Sequence, residues 1–221
     1  MIESEDKAEI FLWKEFLNFK IPYIYIPNCI QKETVDKLDS LKIDYNSNPV
    51  PLYKSHYQQV NDGHKKQQDA TASNNSVTYY NKELLWLDQS LEKLIADTNS
   101  NKWNFAPLTR LDPYEFVTFN QGGYIAEHND GVKSKDDKKD NDSKFQNGRL
   151  LTQVIHMSER GKDYTGGQLE IQNAFGFWLK VPLKAKGDVV YFPSILPHRV
   201  TTIETGRRIT LTTFLSGQYP F

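Results

Sequence analysis

The sequence predicts a mainly β protein with flanking helices, built around a jelly roll or a related sandwich. Two observations predict it. From residue 112 to the end, eight short β-branched and aromatic runs alternate with turn residues. Ahead of them lie stretches whose apolar residues recur at helical spacing.

Within 6–18 the apolar positions Ile10, Phe11, Trp13, Phe16 and Leu17 predict a helix. IPYIYIPNCI (21–30) reads as a short strand closed by Pro27 and Asn28. QKETVDKLDSLK follows as an exposed amphipathic helix, and the polar residues 45–75 read mostly as loop. The stretch 81–99 is a strong helix, with Leu84, Leu85, Leu87, Leu91, Leu94 and Ile95 on one broad face. The strand runs are YEFVTFN, YIAEH, RLLTQVIHM, QLEIQ, GFWLKV, DVVYF, HRVTTI and RRITLTTFL. Gly122–Gly123, Gly166–Gly167, Gly187–Asp188, Pro193 and Gly206 punctuate them. The polar segment 131–148 interrupts the series as a loop. The expected organisation is one domain over 1–221, with helices and supporting strands to 111 and the β core over 112–221.

Composition narrows the function. Of 221 residues, 38% are hydrophobic and 13% aromatic, enough for a packed core. A net charge of −1 gives no reason to expect nucleic acid or an anionic membrane. Cys29 is the sole cysteine, which excludes an intramolecular disulfide and a thiolate metal cluster. No run approaches the roughly 20 apolar residues of a membrane span. The N-terminus lacks the basic start and apolar run of a secretory signal, so a cytoplasmic setting is expected.

Of five histidines (His56, His64, His128, His156 and His198), two sit where a metal site would explain them. In His128-Asn129-Asp130, residues i and i+2 of an extended chain point the same way, so imidazole and carboxylate can meet one ion. His198 follows seventy residues later at the start of another strand. Two His and one carboxylate on one face of an octahedral ion leave the opposite face open, as in non-haem Fe(II) oxygenases. An H-x-D pair alone is most often a surface accident, and a lone His before a strand is usually only polar. The joint pattern carries the reading, because Arg208 lies ten residues after His198, behind Gly206. Its planar, permanently charged fork suits a carboxylate. Without the triad, Arg207 and Arg208 would read as a solvated pair.

FNQGGYIAEHND (119–130), GRLLTQVIHMS (148–158) with GGQLEI, and FPSILPHRVTTIETGRRITLTTF (192–214) together resemble the Fe(II)/2-oxoglutarate-dependent dioxygenases, specifically their prolyl-4-hydroxylase-like branch. The segment 21–38 is similar to that family's entry strand and helix. The resemblance covers roughly half the chain well. It implies a double-stranded β-helix core of jelly-roll or cupin type. It also implies Fe(II) on His128, Asp130 and His198, with 2-oxoglutarate and O₂ as co-substrates and ascorbate as an optional reductant. The family's G-x-R arrangement selects Arg208 over Arg207 for the far carboxylate of 2-oxoglutarate.

Three departures stand out. His156 replaces a Tyr that commonly binds the co-substrate; it either takes over that contact or is an ordinary barrel-interior histidine. Phe119 often is Tyr and Phe214 often is Trp in the family. The aromatics Phe116, Trp178, Tyr191 and Phe192 either keep the pocket dry or are plain core.

The implied activity is hydroxylation of a prolyl or other residue of a peptide or protein. A hydroxylase of a free amino acid or small metabolite is the first alternative, and a non-catalytic binding or sensor barrel the second. Nucleic-acid demethylation is disfavoured, since RITLTTFL lacks that branch's second Arg. The 131–148 loop is either a lid over the substrate or a tolerated insertion.

Overall fold

The computed structural model describes residues 20–41, 72–80, 84–105, 107–110, 112–131 and 147–218. The helix expected at 6–18 and the loop residues 132–146 lie outside them.

Among the described residues two helices flank the sheet. In α1 (Lys32–Asp39), Val35 and Leu38 are buried. In α2 (Leu85–Lys102), Leu87 and Leu91 are buried along with Leu84 just before it, a spacing that places them on one helical stripe. Leu85 falls off that stripe and is 53% exposed, against the sequence reading that placed it on the apolar face. The helix also runs three residues past 99. Among the described residues, no helix is long and apolar enough to cross a membrane.

Among the described residues there are twelve strands: β1 (Ile24–Ile26), β2 (Ala72–Tyr80), β3 (Thr109–Arg110), β4 (Tyr114–His128), β5 (Asn147–His156), β6 (Tyr164–Gly166), β7 (Leu169–Gln172), β8 (Trp178–Lys180), β9 (Val189–Pro193), β10 (His198–Val200), β11 (Ile203–Gly206) and β12 (Arg208–Gln218). All their sheet pairings are antiparallel, in the order β1-β9-β5-β12-β4-β10-β7-β8, with β2 on β4 and β3 on β12; β11 and β6 form a separate pair. The first half of β4 pairs with β12 and its far end with β10, so this strand carries one sheet into the other and curls the whole. The core is therefore the expected double-stranded β-helix.

Three sequence readings are corrected. YEFVTFN and YIAEH are one strand, not two separated by a turn. Its pairing with β2 skips from Phe119 to Tyr124, so the chain around Gly122 bulges instead of reversing. The bulge lets Asn75 donate to the Tyr124 carbonyl. β2 itself was hidden at the polar end of the 45–75 stretch. Its Asn and Ser residues disfavour strands, and pairing along β4, with Val77 buried, outweighs that preference. HRVTTI splits into β10 and β11, and the short β3 and β6 carried no periodicity to detect.

Strand alternation divides the apolar residues between two cores. Tyr114, Phe116, Leu151, Ile155, Tyr191, Leu211 and Leu215 face the helices and pack with Leu38, Leu84, Leu87 and Leu91. Val117, Phe119, Val154, Leu169, Phe192 and Val200 face the barrel interior. Phe116 and Tyr191 are thus plain core, Phe192 faces the pocket, and Trp178 stacks beneath the Arg199 guanidinium.

Leu87→Ala is expected to cost about 2–5 kcal/mol by leaving a cavity between α2 and the sheet. Leu85→Ala should change stability by less than about 0.5 kcal/mol. Urea unfolding of both variants checks the split.

Candidate metal centre

β4 and β10 bring the two histidines together because His128 and His198 are register partners. Asp130 follows two residues beyond the strand end. Its amide and that of Gly131 donate to the Ser194 carbonyl, at 2.8 and 2.9 Å. The Thr152 hydroxyl donates to Asp130 Oδ2 at 2.8 Å and also meets Ser194 Oγ at 2.9 Å.

The three side chains converge. One ligand atom from each of His128, Asp130 and His198 lies within 4.8 Å of the other two. His128 Nε2 is 3.6 Å from Asp130 Oδ1, and His198 Nε2 is 3.3 Å from Oδ2. Both rings lie with Nδ1 against a carbonyl, Ala126 at 2.9 Å and Leu196 at 3.0 Å. That contact places the proton on Nδ1 and leaves each Nε2 lone pair facing the carboxylate. Phe192 meets the His198 ring edge-on at 4.8 Å between centroids.

The electrostatics are those of a site built for a cation. Burial would raise the Asp130 carboxyl, yet His198, His128 and Thr152 hold it down at about 2. Burial pushes His198 down, and neighbouring His128 adds to the effect. Burial opposes charge on His128 too, but Asp130 more than offsets it and moves that ring up. One carboxylate thus serves two imidazoles that cannot comfortably carry a proton each.

Behind this cradle lies Arg208, only 2% exposed and lining the same pocket. Gly206 (φ 74°) makes the turn into β12, and a Cβ there would run into the Asp163 carbonyl, so glycine is required in the G-x-R motif. The guanidinium stands 5.0 Å over the Phe119 ring, with Tyr164 beside it. Its Nε has no hydrogen-bond partner, and no carboxylate pairs with it among the described residues. Burial pulls its pKa down, against support from Tyr164. Arg207, by contrast, is exposed and donates from Nε to Asn120 Oδ1 at 3.1 Å.

His156 is fully buried and is not a pocket-lining residue. Its Nε2 lies 3.1 Å from the Tyr164 hydroxyl, and its Nδ1 has no partner. Burial first, then the Arg208 charge, pushes it down to about 3. Tyr164 was missed in the sequence, because β6 is three residues long. The polar residue at the other end of the pocket is Glu115, which was also missed. Burial pushes its carboxyl up to about 7. A larger groove of about 530 Å³ lies between α2 and β3, but it gathers no comparable set of ligating groups.

Comparison with known proteins agrees with this geometry. Residues 114–216 match the 2OG-Fe(II) oxygenase superfamily. No curated protein matches the chain by sequence. Among solved structures, a Pseudomonas putida prolyl-4-hydroxylase aligns at TM-score 0.60 and 16% identity, over 90% of this chain and 94% of its own. A viral collagen prolyl hydroxylase of Paramecium Bursaria Chlorella virus-1, solved as a 2-oxoglutarate complex, aligns at TM-score 0.58 and 13% identity, over 89% and 96%. A Trichoplax adhaerens prolyl hydroxylase in complex with a hypoxia inducible factor peptide aligns at 0.60 and 14%, over 97% and 93%. At these identities the likeness is one of fold. The barrel over residues 114–216 thus matches the 2OG-Fe(II) oxygenase superfamily, whose dioxygenases use Fe(II), 2-oxoglutarate and O₂.

The residues present fit those groups. The cradle offers two imidazole lone pairs and a carboxylate, and Arg208 is a buried cation with an orphaned N–H.

His156 supplies a test by pH. Its folded value of about 3 lies below the ordinary 6.5, so between these the unfolded chain binds the extra proton and stability rises with pH. His156→Gln is expected to flatten that rise relative to the parent protein, read by urea unfolding of metal-free protein at pH 4.5 and 7.5.

Proposed function

We propose that the protein is an Fe(II)- and 2-oxoglutarate-dependent hydroxylase acting on a prolyl or other residue of a peptide or protein. The observation that carries this reading is the pairing of a three-donor cradle with a buried, carboxylate-free arginine in one pocket. The full donor set favours turnover over a silent binding barrel. Peptide as substrate draws support from the prolyl hydroxylases that share the fold, one of them solved with a peptide.

His128, Asp130 and His198 would hold the iron, and Arg208 the far carboxylate of 2-oxoglutarate. The chemistry these groups would supply when bound is reduction of O₂ coupled to decarboxylation of the 2-oxo acid, one oxygen atom going to succinate and the other to the substrate. The chain does the rest. The carbonyls of Ala126 and Leu196 hold both imidazoles in the metal-binding tautomer. Thr152 and the Ser194 carbonyl orient Asp130. Val117, Val154, Leu169, Phe192 and Val200 exclude water from the pocket. Tyr164 stands beside the Arg208 guanidinium, and its hydroxyl lies 3.1 Å from His156 Nε2.

Two experiments test the assignments. His128→Ala and Asp130→Ala are expected to abolish succinate release from Fe(II) and 2-oxoglutarate and to weaken Mn(II) binding by calorimetry by at least about tenfold, while circular dichroism stays unchanged. Full succinate release by either variant would defeat the triad. Arg208→Ala is expected to raise the KM for 2-oxoglutarate by one to two orders of magnitude, from loss of a buried charged contact, and Arg207→Ala to leave it within about twofold. The reverse ranking would move the role to Arg207. Succinate release across a panel of proline-containing peptides and free amino acids separates a peptide substrate from a small-molecule one.

A further inference from the structure

We propose that Glu115 selects the substrate, and that the substrate presents a cationic nitrogen, an amine or a guanidinium, to this pocket. The inference rests on the oxygenase reading above.

The position comes from strand alternation. Glu115, Val117 and Phe119 occupy the inward face of β4, and Arg208, Thr210 and Thr212 stand opposite them on β12. Arg208 pairs with Phe119 and Thr212 with Glu115, so the two charges are separated by four residues of strand, roughly 13 Å. The pocket therefore has a cation at one end and an acid at the other, with the metal donors on its wall. If the 2-oxo acid takes the Arg208 end, Glu115 lies at the end left for substrate, together with Thr152, Thr212 and Phe214.

Glu115 is partly buried and has neither a hydrogen bond nor an ion pair among the described residues. Arg149 is the cation that acts on it most, yet Arg149 is already committed. It forms two hydrogen bonds to Asp112, at 2.9 and 3.0 Å, and stacks over Phe214 at 3.7 Å. Asp130 and Asp112 both repel the Glu115 charge. A carboxylate held in this way costs stability, and structures keep such a group where an occupant relieves it.

Charge counting points to the sign of that occupant. The dianionic 2-oxo acid cancels a divalent ion, and Arg208 cancels Asp130. Arg149 and Asp112 cancel each other. Glu115 is what remains, so a filled centre lacks one positive charge. A basic side chain or amino group on the substrate supplies it through a charge-assisted hydrogen bond. The alternative, a protonated Glu115 donating to a neutral carbonyl, predicts no preference for charge.

The test uses the full chain with Fe(II) and 2-oxoglutarate under anaerobic conditions. Blocked pentapeptides that differ only in Lys, norleucine or Glu beside a central Pro are titrated by calorimetry. The parent protein is expected to bind the Lys peptide about tenfold or more tighter than the norleucine peptide. Glu115→Gln should level the two while keeping or raising Tm, and Glu115→Lys should favour the Glu peptide. Equal affinity for Lys and norleucine peptides, absence of binding, or a preference that survives in Glu115→Gln would overturn the proposal. A marked fall in Tm in Glu115→Gln with the preference retained would make the residue structural. Succinate release in air reads the oxygenase reaction separately. A charge preference without succinate would sink the oxygenase reading alone, and succinate without a charge preference would sink the Glu115 assignment alone.

Discussion

The end of β4 is tied to the turn after β9 by the Ser194 carbonyl, which accepts from the amides of both Asp130 and Gly131. The metal centre depends on this clamp. β4 stops pairing at His128, so Asp130 is no longer placed by a ladder, and without an anchor its carboxylate would sample many directions. The Ser194 carbonyl supplies the anchor, and Thr152 on β5 bridges Asp130 and the Ser194 hydroxyl. His198 begins the strand four residues after Ser194 and pairs back to His128. One short loop thus sets the carboxylate and one imidazole, and the register of β4 with β10 sets the other. A shift by one residue would turn His128 to the outer face and dissolve the centre.

Buried charge in the rest of the barrel is compensated, which makes the pocket the exception. Glu170 is bonded by Arg199, and Asp188 accepts from Tyr25 and from the amides of Asn28, Lys184 and Ala185. Asp88 takes Arg110 through both oxygens and the Tyr114 hydroxyl as well. Arg208 and Glu115 have no opposite charge bonded to them among the described residues. A fully buried unpaired charge such as Arg208 costs several kcal/mol unless something fills the gap, and burial raises the Glu115 carboxyl to about 7. Their location at the two ends of a single pocket therefore reads as a pair of ligand contacts and not as two unrelated defects.

The barrel and the triad were legible in the sequence because each leaves a mark that survives on a line. Strand alternation and glycine turns announce the β core, and H-x-D with a distant His and G-x-R announces a centre before any register is known. Residues defined only by tertiary pairing were not legible. Tyr164 lies on a three-residue strand with no periodicity, and its importance comes from standing between His156 and Arg208. Glu115 looked like one acid among many in YEFVTFN. Its meaning depends on facing inward, which alternation from Val117 and Phe119 could have suggested once their burial was known. β2 failed for the opposite reason, since its local preference argues against the strand that pairing along β4 imposes.

The His156–Tyr164 pair stands beside Arg208, outside the lining of the pocket, with the Tyr164 hydroxyl supplied by β6. Tyr164 lies between Arg208 and His156, its hydroxyl 3.1 Å from His156 Nε2. The arrangement works only while His156 is neutral. A protonated ring would set a second positive charge beside a buried guanidinium. Burial and the Arg208 charge together prevent that protonation. Neutral Tyr164 and His156 beside Arg208 do not neutralise its charge, which faces the pocket.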